Sequence, residues 1–234
     1  MLLSIVIPAY NEIQNIERTI LALREALKQA EWEPYELIVA DDASTDGTAE
    51  IAEALGATIV PSGKRNIGAT RNIGAAAARG EYILFLDADT LVDRRLMEGL
   101  KRAIEKGVAG GGSRLIWSEP VCDFLANLGM KSWVIVSRIF RIPSGSFFFV
   151  RREVFEKIGG FDEAYFISEE ITLAKKLKRW GKVVILRETA ATSPRKMRQF
   201  TRCEFARFVL SSLLHPRQIM RNRNYLDIWY KRRP

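Results

Sequence analysis

The sequence predicts an α/β fold with a mainly parallel central sheet covered by helices. Three observations predict it. Short apolar runs alternate with helical patterns four times before residue 107. The runs are continuous rather than alternating, as strands buried on both faces read. A polar cluster follows directly after three of them.

Leu2 to Ile7 is the first such run, closed by Pro8. From Asn15 to Gln29, Ile16, Ile20, Leu23 and Leu27 recur at the spacing of one helical face. Glu36 to Ala40 reads as a strand, Asp41 to Thr48 as a polar loop, Ala49 to Leu55 as a short helix and Ala57 to Val60 as a third strand. An Ala-rich helical stretch covers Arg65 to Ala78, and Tyr82 to Leu86 is the fourth strand. Arg94 to Lys106 is helical, with Leu96, Leu100, Ala103 and Ile104 inward. Beyond Val108 strands are expected at Gly110 to Ile116, Gly145 to Arg151 and Lys182 to Leu186. Short helices are expected at Glu153 to Ile158 and, capped by Ser168, at Glu169 to Trp180. The form of Asp123 to Phe140, rich in aromatic residues, stays open.

The composition is that of a folded domain. In 234 residues, 47% hydrophobic and 27% charged, there is enough chain for one large core without a structural metal or disulfide. Cys122 and Cys203 stand far apart, which excludes a zinc ribbon or disulfide framework and points to a reducing, cytoplasmic compartment. No basic leader precedes the first strand, and no run of 18 uncharged apolar residues suggests a spanning helix.

The net charge of +8 is unevenly placed. Residues 195–234 hold 11 basic and 2 acidic residues, leaving 25 basic and 26 acidic in residues 1–194. A nucleic-acid reader would carry its cations on the folded body, so no specific nucleic-acid partner is expected. The division expected is a catalytic domain at 1–194 and a basic, amphipathic, helical extension at 195–234. That extension could meet an anionic membrane, pack on the body or form a homodimer.

On a parallel sheet, ligands bind at the carboxyl ends of the strands. Pro8-Ala9-Tyr10-Asn11-Glu12, Asp41-Asp42 and Asp87-Ala88-Asp89 all follow strands and so project from one rim. Two carboxylates one residue apart can hold a hard cation, Mg²⁺ or Mn²⁺, and leave positions for phosphate oxygens. Such a cation neutralises the charge that grows on a departing nucleoside diphosphate. A carboxylate at Asp41 or Asp42 can accept the ring N–H of a base or contact ribose; the sequence does not choose between them. Arg71 suits a clamp on ribose or pyrophosphate. Glu169-Glu170 opens a helix, where either side chain can serve the helix dipole or act as a general base.

The ordered set Ile5–Glu12, Val39–Thr48, Ala69–Gly74, Phe85–Asp89, Gly159–Glu163 and Glu169-Glu170 resembles the family 2 glycosyltransferases, which have the GT-A fold and include membrane-associated members. The resemblance implies an inverting transfer of sugar from a UDP- or GDP-linked donor to a saccharide or lipid-linked acceptor. It implies that Pro8, Ala9, Tyr10 and Glu12 line the nucleoside, with Asp42, and Asp41 beside it, at the base. Arg71 then lies near ribose and diphosphate, Asp87, Ala88 and Asp89 at the metal, and Glu170 at the position of the base, with Glu169 adjacent. A peripheral location at the cytoplasmic face of a membrane follows for a lipid-linked acceptor.

Two departures stand out. Glu170 replaces the usual Asp and adds a methylene. Where many members place a metal-contacting His after the last strand, this chain has Thr192-Ser193-Pro194-Arg195, and its one histidine is His215. Two other readings of the fold are a nucleotidyltransferase, for which Pro8–Glu12 offers no Gly-rich phosphate loop, and a non-catalytic nucleotide-sugar-binding or scaffold protein.

Overall fold

The structure, a computed structural model, describes residues 1–195. The expected extension at 195–234 therefore lies, but for Arg195, outside the described residues. In chain order the elements are β1 (Leu3–Ala9), α1 (Ile16–Gln29), β2 (Tyr35–Asp41), α2 (Thr48–Ala54), β3 (Thr58–Pro61), α3 (Ile67–Ala76), β4 (Tyr82–Leu86) and β5 (Thr90–Leu91). There follow α4 (Arg94–Glu105), β6 (Gly110–Trp117), α5 (Phe124–Phe140), β7 (Phe147–Arg151), α6 (Arg152–Lys157), α7 (Glu169–Leu177) and β8 (Val183–Thr192).

The strands form one sheet in the order β3-β2-β1-β4-β7-β6-β8-β5. It is mixed rather than mainly parallel. β3, β2, β1 and β4 run parallel, and β6 runs parallel to β8, but β7 is antiparallel to both its neighbours and β5 is antiparallel to β8. The apolar run Phe147–Val150 is buried on both faces, so it reads like a parallel strand whatever its direction.

Alternation along each strand divides the core between two layers. Leu3, Ile5 and Ile7 of β1, Leu84 and Leu86 of β4, and Phe147 and Phe149 of β7 face α1 and α4. Val6, Ile83, Phe85, Phe148 and Val150 face Ala75 of α3, Phe155 of α6 and Leu173 and Leu177 of α7. Phe85 meets Phe161 edge to face at 5.0 Å between ring centres, an orientation that suits the ring quadrupoles. Gly74 lets α3 lie close on the sheet: a Cβ there would fall 2.4 Å from Cγ1 of Val6.

Pro8 does not stop β1, which pairs with β2 through Ala9↔Asp41. Its pairing with β4 ends at Val6↔Phe85, so a residue without an N–H is accommodated beyond that ladder. Ser168 precedes α7 in the left-handed region, φ 61°, and makes no side-chain cap; the helix ends at Leu177 rather than Trp180. β8 continues to Thr192, past Leu186, and its end pairs with β5.

The stretch of open form is the helix α5. Oδ1 of Asp123 accepts from the N–H of Ala126 at 2.9 Å, a side-chain N-cap. Met130 and Trp133 pack on the larger core, whereas Phe124, Leu128, Ile135 and Ile139 are exposed.

Candidate active site

β2, β1 and β4 are adjacent and parallel, so their carboxyl ends form one rim. A cavity of about 500 Å³ opens there. Of the residues expected at a site, Pro8, Ala9, Tyr10, Glu12, Asp42, Arg71, Asp87, Ala88, Asp89, Glu169 and Glu170 line it. Asp41 does not. As the last residue of β2 its Oδ2 accepts from the N–H of Ser44 at 3.0 Å, and the next residue, Asp42, turns to the cavity.

The first wall is held by the polar loop between β2 and α2. Oγ of Ser44 accepts from the N–H of Asn11 at 2.9 Å, Oγ1 of Thr48 from the N–H of Glu12 at 2.8 Å, and Oδ1 of Asn11 from the N–H of Thr45 at 2.7 Å. These bonds fix Asn11 in the left-handed region, φ 53°, a conformation Asn tolerates. Beyond this wall Oδ1 of Asp42 accepts from the N–H of Arg65 at 2.9 Å. The Arg65 guanidinium lies 3.7 Å from the centre of the Tyr10 ring, within cation–π range. Tyr10, Asp42 and Arg65 thus form a flat, partly acidic end of the cavity.

At its centre Arg71, reached from α3, is 2% exposed. Its Nη2 donates to Oδ1 of Asp87 at 2.8 Å and to the carbonyl of Gly145 at 3.1 Å, and its Nη1 donates to Oε1 of Glu169. Burial alone would lower the pKa of this guanidinium, but Asp87, Glu169 and Glu170 more than offset it and the net shift is upward. Gly145 is required here, because a Cβ would meet Nη2 of Arg71 at 2.8 Å.

Asp87, Ala88 and Asp89 form the turn after β4. The carbonyl of Asp87 accepts from the N–H of Thr90 at 3.1 Å, and that of Ala88 from Oγ1 of Thr19 at 2.8 Å. The end of β8 closes on the same turn: the N–H of Ser193 donates to the carbonyl of Asp89 at 3.1 Å. Two residues on, Nη2 of Arg195 lies 2.5 and 2.6 Å from the two carboxylate oxygens of Glu12.

Glu170 is half-buried at the far wall. Burial, and next the charge of Glu169, push its carboxyl up to about 8 against partial relief from its own backbone N–H and Arg71. A carboxyl so placed exchanges a proton near neutral pH, as a general base must. Glu169 differs, being bound to Arg71.

The donor set at Asp87 and Asp89 is two hard oxygen ligands, suited to Mg²⁺ or Mn²⁺. Among the described residues no group of three or more His, Cys, Asp or Glu could hold a metal ion. The pair therefore fits a cation whose remaining positions are filled by diphosphate oxygens and water.

Of the other lining residues, Ser144, Ser146, Phe166 and Ile167 carry no sequence signal beyond the small residues beside Gly145, and Ser168 is marked in the sequence only as a helix cap. Arg195 is marked in the sequence as part of the basic extension and of the segment that stands in place of the family's His, but nothing there points to its pairing with Glu12.

Residues 4–159 match the model of the family described as "Glycosyl transferase family 2". The chain is 27% identical over 172 residues to glycosyltransferase AglE of Haloferax volcanii, covering 68% of this chain and 55% of that protein. It is 27% identical over 224 residues to the dolichol-phosphate mannosyltransferase of Pyrococcus furiosus, covering 89% of this chain and 63% of that one. It therefore spans less than two thirds of the length of either relative. Among solved structures it resembles the mannosyltransferase PcManGT of Pyrobaculum calidifontis in complex with GDP-Man and Mn²⁺, with TM-score 0.62, 21% identity, and coverage of 91% of this chain and 61% of that one.

Proposed function

The chain belongs to glycosyl transferase family 2, and from that premise we propose that it transfers a sugar from a nucleoside-diphosphate donor, UDP- or GDP-linked, to an acceptor hydroxyl with inversion. The observation that carries the reading is the convergence of Asp42, Asp87, Asp89 and Glu170 on one cavity at the rim of the parallel strands. A nucleobase lies at the Tyr10, Asp42 and Arg65 end, where the second oxygen of Asp42 accepts a ring N–H. The diphosphate lies over Asp87, Ala88 and Asp89. Mg²⁺ or Mn²⁺ held by Asp89 and Asp87 supplies charge neutralisation to the leaving diphosphate.

Glu170 takes the proton of the acceptor hydroxyl as its oxygen attacks the anomeric carbon. The bond from that carbon to the diphosphate breaks, and the nucleoside diphosphate leaves on the opposite face. A single displacement of this kind inverts the configuration. Glu169 positions rather than reacts, because Arg71 already holds one of its oxygens. Arg71 in turn orients Asp87 toward the diphosphate.

The acceptor we favour is lipid-linked, met at the cytoplasmic face of an anionic membrane by the basic residues 195–234. The support is the excess of 11 basic over 2 acidic residues there, with the dolichol-phosphate mannosyltransferase among the relatives.

A screen of UDP- and GDP-linked sugars against free saccharides and polyprenyl-diphosphate-linked saccharides, with Mn²⁺ or Mg²⁺, tests the reading. Formation of a glycosylated acceptor with inverted anomeric configuration is expected. Release of pyrophosphate from a sugar phosphate and a nucleoside triphosphate, with no transfer, would instead make it a nucleotidyltransferase.

A further inference from the structure

Among the described residues, six of the eleven exposed large hydrophobic side chains sit on α5. Phe124, Leu128, Ile135 and Ile139 are 75%, 49%, 58% and 68% exposed. At 100° per residue they fall on one outward stripe, opposite the side that packs on the core. Lys131 and Arg138, both exposed, lie on or beside that stripe, and the helix contains no acidic residue.

A contiguous apolar stripe of this size marks an interaction surface. Its charge says which kind. A second copy of the chain packed helix to helix would bring Lys131 and Arg138 of both copies into one seam with no acid to meet them. An anionic bilayer fits both features: the apolar side chains enter the headgroup boundary, and the cations reach outward to lipid phosphates along their own apolar stems. Among the described residues no helix is long and apolar enough to cross a membrane, so the contact is with the surface.

We propose that the exposed face of α5 is a docking surface for an anionic lipid bilayer, separate from the basic residues 195–234. The proposal rests on the lipid-linked acceptor reading only for its purpose. Ser144 in the cavity wall lies four positions after Phe140, the last residue of α5, a span of at most about 14 Å. Seating α5 on a bilayer therefore brings the catalytic cavity near the headgroups, where the polar end of a lipid-linked acceptor stands.

The test is co-sedimentation of the full chain with phosphatidylcholine vesicles, with and without phosphatidylglycerol, and with no sugar donor present. The parent should partition to the anionic vesicles and release with salt. Ile135→Glu/Ile139→Glu should partition at least roughly tenfold more weakly, as should Lys131→Glu/Arg138→Glu, with residues 195–234 unchanged in both. Near-ultraviolet circular dichroism checks the fold, and Ile135→Ser/Ile139→Ser serves if the acidic pair perturbs it. Parental partitioning by folded variants, or none by the parent, overturns the proposal. So does a change from dimer to monomer with vesicle binding unaltered, which would assign the face to a second copy. Because the assay contains no donor, its failure is distinct from a failure to transfer sugar.

Discussion

Nη2 of Arg71 lies 2.8 Å from Oδ1 of Asp87, so a cation on α3 is bound to the first carboxylate after β4. The same guanidinium reaches Glu169 at the start of α7. Three segments distant in sequence therefore meet on one buried charge. Burial is the main reason that Glu170 holds its proton, and the arrangement adds to it by leaving Glu170 beside two carboxylates that share a single arginine.

Removing that arginine should destabilise the protein. Arg71→Ala leaves Asp87 and Glu169 next to each other without a counter-charge, and loss of one partner from a buried pair costs about 3–5 kcal/mol. Arg71→Lys keeps the charge but not the fork that reaches both acids, so an intermediate loss is expected. Urea unfolding at neutral pH measures both. A midpoint for Arg71→Ala equal to the parent's would mean that the network carries no net stability.

Two glycine substitutions should separate packing from function. Gly74→Ala sets a Cβ 2.4 Å from Val6 Cγ1, and overpacking of this kind costs about 1–3 kcal/mol; donor affinity should be preserved. Gly145→Ala instead presses on Nη2 of Arg71, within the cavity wall. It should weaken donor binding as well as stability, which calorimetric titration with a nucleoside diphosphate reads. Equal effects of the two on donor binding would argue against Arg71 as the organiser of the site.

The rim was legible because each strand that feeds it carries an apolar run that gives way to Asp or Pro at or near the strand's carboxyl end, and parallel neighbours put those ends together. The choice between Asp41 and Asp42 was not legible, since a shift of one residue at a strand end reverses the facing side. α5 was hidden by apolar residues on both sides: Met130 and Trp133 inward, Ile135 and Ile139 outward, with no polar face to reveal the helical period. The sequence marks β8 as shorter than it is because Arg187, Glu188 and Thr189 interrupt its apolar pattern, whereas its pairing with β6 shifts register after Ile185 and resumes at Thr189. The pairing of Arg195 with Glu12 joins positions 183 residues apart, beyond any local signal.

Asp89→Asn should remove the response of the site to divalent cations. The substitution keeps size and polarity but takes away the charged oxygen that a hard cation needs. The parent should bind the nucleoside diphosphate more tightly with Mn²⁺ than without, and Asp89→Asn should bind it equally in both, with sugar transfer lost. Retained transfer together with retained Mn²⁺ dependence would remove Asp89 from the cation site.

The proton on Glu170 makes opposite predictions for stability and for activity. Its carboxyl stands at about 8, raised by burial and by Glu169, against an ordinary value near 4.5. Below the lower value both folded and unfolded chains hold the proton. Between the two the folded chain holds it and the unfolded chain does not, so this group's contribution to stability falls as pH rises through that window and levels off above about 8. Glu170→Gln cannot ionise and should lose this part of the slope, gaining on the parent in urea midpoint as pH rises. The ionised carboxylate is the form that accepts a proton, so kcat/KM of the parent should climb through the same range. Glu170→Gln should fall roughly 100-fold or more in turnover with donor affinity nearly unchanged. Glu169→Gln discriminates between the neighbours: it weakens the partner of Arg71 and should cost stability, while the remaining transfer keeps a pH dependence shifted to lower values because one neighbouring charge is gone. If Glu170→Gln keeps the parent's rate and pH profile and Glu169→Gln loses transfer without loss of stability, the base is Glu169.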